Sequence, residues 1–273
     1  QKTRLISNVK SAMVSLVNKG SYRSYGLLLV IVMLGASLAG TGATGYYVLI
    51  LSLVSTIPYS KKLPTSKLMM PLGFATNHPL LPINLALLFG VTATVLETAG
   101  FHQEISMGRF ALVNLIMSAA FLAWSLIAYR FLPDHPIADA SEDALAGTGF
   151  TAMVGDAVAG VLGSGVSPFV FIVAFALLTS TCATFTGSNM GSVYIFAPIA
   201  IAACTSLGLN PTAAAIAVVI SGWNGGYMPI DGMPAMILGM GKYKLPEFWV
   251  FSVPMYLIRI LALCAGAVFI FPM

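Results

Sequence analysis

The residues best suited to chemistry in this chain are hydroxyls and amides set between apolar runs. Ser188-Asn189-Met190-Gly191-Ser192, followed by Ala197-Pro198-Ile199-Ala200, joins two apolar arms over 166–186 and 191–207. Two short helices meeting at such a tip leave unpaired N–H groups at one helix start. That end carries partial positive charge and suits a carboxylate or sulfate. The opposing carbonyl ends, with hydroxyl and amide oxygens, suit Na⁺. One tip can therefore hold an anion and its coupling cation together. The blander role for Ser188 and Asn189 is a helix cap inside a bundle. A second tip, Gly40-Thr41-Gly42-Ala43-Thr44, joins arms over 26–39 and 43–57.

Two further breaks carry polar residues. Thr76-Asn77-His78-Pro79 separates apolar stretches over 68–75 and 80–96. The run from Asn224 to Gly232 separates 211–223 from 233–240 and contains Asp231. A carboxylate at membrane depth is costly and marks a functional position by default. Asp231 can ligate Na⁺ or carry a proton; the plainer role is a cap for the helix that starts near Met233. Asp156 reads as an interfacial polar residue, His78 as a helix-end cap, and Trp223 and Tyr227 as packing. Arg259 lies inside an apolar run, where it pairs with a carboxylate or snorkels; the sequence leaves both open.

The elements that position these residues belong to a membrane protein. Of 273 residues, 58% are hydrophobic and 8% charged, against about 25% charged in soluble domains. So few charges cannot cover a soluble globule, and a soluble enzyme is excluded on that ground. The net charge of +4 is scattered, and no nucleic-acid partner is expected. Three cysteines without CxxC spacing exclude a disulfide frame or zinc site. Residue 1 is Gln and no signal-peptide pattern opens the chain, so the N-terminus is expected to be cut or to continue upstream.

The expected fold is an all-α membrane protein of two inverted repeats. Each has a surface arm, a re-entrant helical hairpin, a broken transmembrane helix and a full transmembrane helix. Repeat 1 is 1–133: an amphipathic arm over 2–24, a hairpin over 26–57, a broken helix over 66–96 and a span over 107–131. Residues 134–148 form an acidic loop. Repeat 2 is 149–273: an arm, a hairpin over 166–207, a broken helix over 211–240 and a span over 248–271. The hairpin arms near 40 have about 15 residues each, short of the roughly 20 that span a bilayer. The repeat offset is about 140–150 residues. Eight Lys/Arg in 2–24 and 59–67 place that side in the cytoplasm, with the second hairpin opening outside. This requires an odd number of crossings between 131 and 166.

Several stretches are similar to one family. The run from Ser188 to Ala200 resembles the Ser-Asn-Thr hairpin signature of the divalent anion/sodium symporter family, within the ion transporter superfamily. The stretch Lys62-Leu63-Pro64-Thr65-Ser66-Lys67-Leu68-Met69-Met70-Pro71-Leu72-Gly73-Phe74-Ala75 resembles the segment after the family's first hairpin. Pro229-Ile230-Asp231-Gly232-Met233-Pro234-Ala235 takes the place of its second Thr-Pro-Pro-Asn-type loop. The first tip lacks the Asn of the signature, and Ala235 lacks the usual amide.

The resemblance implies an elevator-type carrier, not an enzyme, that moves a small anion such as a di- or tricarboxylate or sulfate in symport with Na⁺. H⁺ is the alternative coupling ion. It implies substrate contacts at Ser188, Asn189, Met190, Thr41, Gly42 and Gly232. Cation contacts fall at Gly40, Ala43, Thr44, Asn77, Ser188, Gly191, Ser192 and Asp231, with Na⁺ at both hairpin tips. It also implies a homodimer built by scaffold helices that are not evident in this chain. A non-transporting membrane subunit is the rival class. An intramembrane aspartyl protease fails on its motifs, because Val154-Gly155-Asp156 lacks the first glycine of Gly-x-Gly-Asp and no Tyr-Asp pair exists.

Overall fold

The computed structural model describes residues 11–273 apart from 12, 18, 58–59, 103, 138–166 and 231. Every regular element among the described residues is a helix. In chain order they are α1 (Tyr22–Ala39), α2 (Thr44–Ser55), α3 (Thr65–Ala75), α4 (Ala86–Thr98), α5 (Met107–Ala128), α6 (Pro168–Thr186), α7 (Asn189–Ser206), α8 (Thr212–Gly222), α9 (Gly232–Gly241) and α10 (Leu245–Ile270). Five of them, α1, α5, α6, α7 and α10, are long and apolar enough to cross a membrane. The chain thus has the make-up of a multi-pass integral membrane protein.

Burial shows what surrounds these helices. On α1, Tyr25, Leu28, Leu29, Val32, Met33 and Ala36 face inward at helical spacing. The opposite face is also apolar, with Leu27, Ile31, Leu34 and Leu38 exposed. An apolar face turned outward is stable against hydrocarbon and unstable against water. The same holds for Ile127 on α5 and Phe269 on α10, the latter 84% exposed.

The helix bounds depart from the sequence expectation in two places. The first arm begins at Tyr22, where the Ser21 hydroxyl accepts from the Ser24 N–H at 3.1 Å. With 18 residues α1 is longer than the expected arm, and it rises about 27 Å. The first helix break runs past Pro79 to Leu85. Pro79 and Pro82 cannot donate to a helix, and the N–H groups of Leu80 and Leu81 are captured instead by the buried Ser37 hydroxyl of α1, at 3.0 and 2.9 Å.

Two hydrophobic clusters organise the molecule. Cluster one joins α6, α7 and α8 with α4. Cluster two joins α1, α2 and α3 with α9. Each cluster thus holds one hairpin, the half-helix that follows it, and a half-helix from the other half of the chain. The central half-helices are the most deeply set: all eleven residues of α8 are buried, as are ten of eleven in α3.

The long helices α5 and α10 pack together and cross both clusters. Phe110, Val113 and Met117 of α5 lie in cluster one and Phe121 and Ala128 in cluster two. On α10 the order is reversed, with Phe248, Phe251 and Met255 in cluster two and Ile260, Leu263 and Ala267 in cluster one. The two helices therefore run antiparallel. Landmarks recur at a spacing of 147 residues: Gly40 and Gly187 close α1 and α6, both at positive φ; Pro64-Thr65 and Pro211-Thr212 open α3 and α8; Asn77 and Asn224 follow those half-helices.

Charge is distributed unevenly between the two ends. Gly20 abuts the Lys62 stem, Lys67 lies over the Tyr129 ring at 5.1 Å, and the Tyr243 hydroxyl donates to the Ser66 carbonyl. These contacts bring Lys19, Arg23, Lys61, Lys62, Lys67, Arg130, Lys242 and Lys244 to one end. At the other end Arg109 stacks on Phe271, 4.4 Å from the ring centre. Residues 2–10, 12 and 18 of the amphipathic arm, the acidic loop beyond 137 and the arm over 149–165 lie outside the described residues.

Candidate functional site

Six helix ends converge between the two clusters and enclose a cavity of about 290 Å³. The N-terminal ends are those of α2 (Gly42, Ala43, Thr44), α7 (Asn189) and α9 (Gly232, Met233, Pro234). The C-terminal ends are those of α3 (Thr76, Asn77), α6 (Gly187) and α8 (Gly222, Trp223). N-terminal ends present N–H groups and partial positive charge; C-terminal ends present carbonyls and partial negative charge. The first turn of α2 has no side-chain cap, because Ala43 sits at the cap position.

The first tip is anchored by one amide. Asn77 accepts the Gly42 N–H on Oδ1 at 2.7 Å and donates from Nδ2 to the Trp223 carbonyl at 2.5 Å. It thus ties tip one to the second break. Gly42 has φ of 78°, and a Cβ there would meet the Trp223 ring at 2.9 Å, so glycine is needed both for backbone shape and for close approach.

The second tip is organised differently. The Ser188 hydroxyl caps α7, accepting the Gly191 N–H at 3.2 Å, and the Ser192 hydroxyl donates to the Ser188 carbonyl at 2.9 Å. Asn189 is half-buried against the cavity, and its side-chain amide makes no hydrogen bond among the described residues. The two asparagines therefore differ in kind. Asn77 spends both ends of its amide on protein, while Asn189 has an amide to offer.

The residues named from the sequence divide accordingly. Gly42, Ala43, Thr44, Asn77, Asn189 and Gly232 line the cavity. Ser188, Met190, Gly191, Ser192, Gly40 and Thr41 stand behind or beside its wall. The Thr41 hydroxyl is buried without a partner among the described residues. Asp231 lies outside the described residues, although its chain neighbour Gly232 lines the cavity.

The structure adds one charged residue to the wall. Arg259 of α10 is 1% exposed and is the single charged side chain among the described residues lining the cavity. Its Nη2 donates to the carbonyls of Asn224 and Gly225 at 2.9 and 2.7 Å. Its Nη1 donates to Asn224 Oδ1 at 3.3 Å and to His78 Nε2 at 3.0 Å. Among the described residues its Nε has no partner and no carboxylate pairs with it. His78 Nδ1 lies 2.7 Å from the Phe74 carbonyl, which makes that nitrogen the donor and leaves Nε2 as the acceptor for Arg259. The imidazole stacks flat on Phe121 at 3.9 Å. The signal for Arg259 was present in the sequence as the lone charge in the apolar run 248–271; its carbonyl partners carry no sequence mark.

Gly225 allows this backbone to sit against α6. A Cβ there would lie 2.1 Å from the Thr184 hydroxyl and 3.1 Å from the Ser180 carbonyl. Trp223, Gly226, Thr184, Tyr47 and Phe74 complete the wall. The cavity can hold a small anion against helix starts and a guanidinium, and a cation against carbonyl ends. No family model, curated protein or solved structure matches the chain.

Proposed function

We propose that the chain is a secondary active carrier that moves a small anion through the membrane in symport with Na⁺. The observation that carries this is the convergence of both hairpin tips and both helix breaks on one cavity between the two clusters. Discontinuous helices meeting at one polar point are how membrane carriers present charge-complementary backbone to ions without leaving it unpaired in lipid. The cavity is of the size taken by compact solutes, near the lower end of ligand pockets at about 300 Å³. Its volume and donors suit a di- or tricarboxylate or sulfate.

The same features support a finer architecture. The 147-residue recurrence and the opposed directions of α5 and α10 support two inverted repeats. The basic end supports a cytoplasmic placement for residues 61–67 and 242–244. On this reading the two clusters form the moving unit of an elevator, with scaffold helices and a second subunit supplying the fixed frame. Asp231, next in chain to Gly232, is the proposed acidic ligand beside a cation.

The test is uptake of labelled succinate, citrate and sulfate by proteoliposomes holding the purified protein, with an inward Na⁺ gradient, an inward proton gradient, or neither. The expected result is uptake of at least one anion that needs the Na⁺ gradient. Asp231→Asn is expected to weaken Na⁺ dependence while leaving pH dependence modest. Uptake that ignores Na⁺, follows the proton gradient and loses its pH dependence in Asp231→Asn replaces Na⁺ with H⁺. No uptake and no binding of any of the three anions removes the carrier reading.

A further inference from the structure

We infer that Arg259 is a tethered cation: its guanidinium occupies the carbonyl end of α8, fills the place of one mobile coupling ion, and supplies fixed positive charge to the anion in the cavity. The inference rests on the carrier reading and sets its ion count.

The C-terminal end of a half-helix at membrane depth needs positive charge. The carbonyls that follow it have no helical partner and no water to turn to. In a carrier that charge comes from a coupling ion or from the protein. Here the carbonyls of Asn224 and Gly225, directly after α8, both accept from Arg259 Nη2, and the Asn224 amide oxygen accepts from Nη1. These are the oxygens a Na⁺ at the second break would use. With a guanidinium on them, a Na⁺ would have to displace it or stand beside a like charge in a poorly screened site.

The guanidinium is itself anomalous without a ligand. It is buried, and among the described residues it has no carboxylate partner and its Nε is unpaired. Its contacts are to neutral acceptors, which position the charge but do not cancel it. A buried cation is stable when an anion completes it. The cavity that Arg259 lines together with Asn189 and the uncapped start of α2 is where that anion binds. Unlike Na⁺, Arg259 does not leave with the substrate, so each cycle carries one cation fewer than two full sites would.

The matching break shows no such device. At Asn77, the equivalent of Asn224, no basic side chain reaches the backbone among the described residues, and the Phe74 carbonyl is met by neutral His78. A mobile cation belongs there, beside tip one and the start of α9, which packs on α2 and α3 and follows Asp231 in the chain.

The experiment is equilibrium binding of labelled succinate, citrate or sulfate to the purified full chain, using whichever the wild type takes up, across a Na⁺ titration. Anion binding is expected to rise with Na⁺ with a slope of about one. Arg259→Ala is expected to lower anion affinity by about tenfold or more, and millimolar guanidinium is expected to restore it. A wild-type slope of two overturns the inference whatever the variants do. So does a folded Arg259→Ala protein with wild-type affinity and no response to guanidinium. Where Arg259→Ala does not fold, Arg259→Lys carries the test: the retained charge keeps the slope near one, and a slope of two there overturns the inference. Na⁺-driven uptake with either overturning result leaves the carrier reading standing; absence of anion binding in the wild type removes both.

Discussion

Asn77 and Asn189 are the same residue type at two helix ends 112 positions apart in the chain, and their side chains do opposite things. Asn77 is a strut between the Gly42 N–H and the Trp223 carbonyl. Asn77→Ala removes both hydrogen bonds at a part-buried place, each worth about 0.5–1.5 kcal/mol; a lowered melting midpoint in detergent checks it. Asn189→Ala orphans no protein group among the described residues. It is expected to leave the melting midpoint nearly unchanged and to weaken anion affinity roughly ten- to a hundredfold, the worth of a hydrogen bond of about 1.5–3 kcal/mol to a charged group. Equal affinities in mutant and wild type remove Asn189 from the site. Both asparagines were visible in the sequence as polar residues at breaks in apolar runs. Which one is strut and which is open was not, because the deciding partner of Asn77 is a carbonyl 146 residues away. Arg259 was legible as an oddity for the same reason that it was not legible as a site: lone charges stand out, and backbone acceptors do not.

At the scale of elements, apolar runs and their punctuation located every helix among the described residues to within a few positions. Pro64, Pro211 and the glycines at 40 and 187 mark real ends. The first break was the exception, and its cause is tertiary. Ser37 on α1 satisfies the N–H groups of Leu80 and Leu81 and so makes a non-helical stretch stable up to Leu85. Nothing local to residues 80–85 announces that. The second break is held by close packing. Gly225→Ala drives a Cβ into the Thr184 hydroxyl and close to a backbone carbonyl of α6, an overpacking that costs about 1–3 kcal/mol. Thermal melts are expected to show the loss, and Thr184→Ala in the same protein to return part of it by removing the nearer atom. Full stability in the single mutant would mean that α6 and the break separate freely.

For the whole molecule, the sequence carried the membrane class in its composition. Among the described residues eight basic side chains gather at one end, brought together by contacts such as Lys67 on Tyr129 and Tyr243 on Ser66. Membrane-impermeant thiol labelling is expected to modify Lys61→Cys and Lys242→Cys from the same side of intact cells or vesicles and Glu104→Cys from the other. Labelling of the first two from opposite sides contradicts the arrangement. What composition could not carry is how the halves interlock, since helical patterns of uniform hydrophobicity do not say which helix lies against which.

That interlocking has a consequence for biosynthesis. Cluster two is incomplete without α9, which is made late, and cluster one is incomplete without α4, which is made early. Neither half of the chain holds a finished core, so the first hairpin must wait in the bilayer, with α3 unmatched, until the second half has been synthesised. The two halves expressed alone are expected to be degraded or to aggregate. Co-expressed, they are expected to protect each other and to co-purify, because a cut between residues 138 and 166 severs neither cluster. A first half that accumulates alone and resists protease as it does in the intact chain would show that the order of synthesis imposes no such wait.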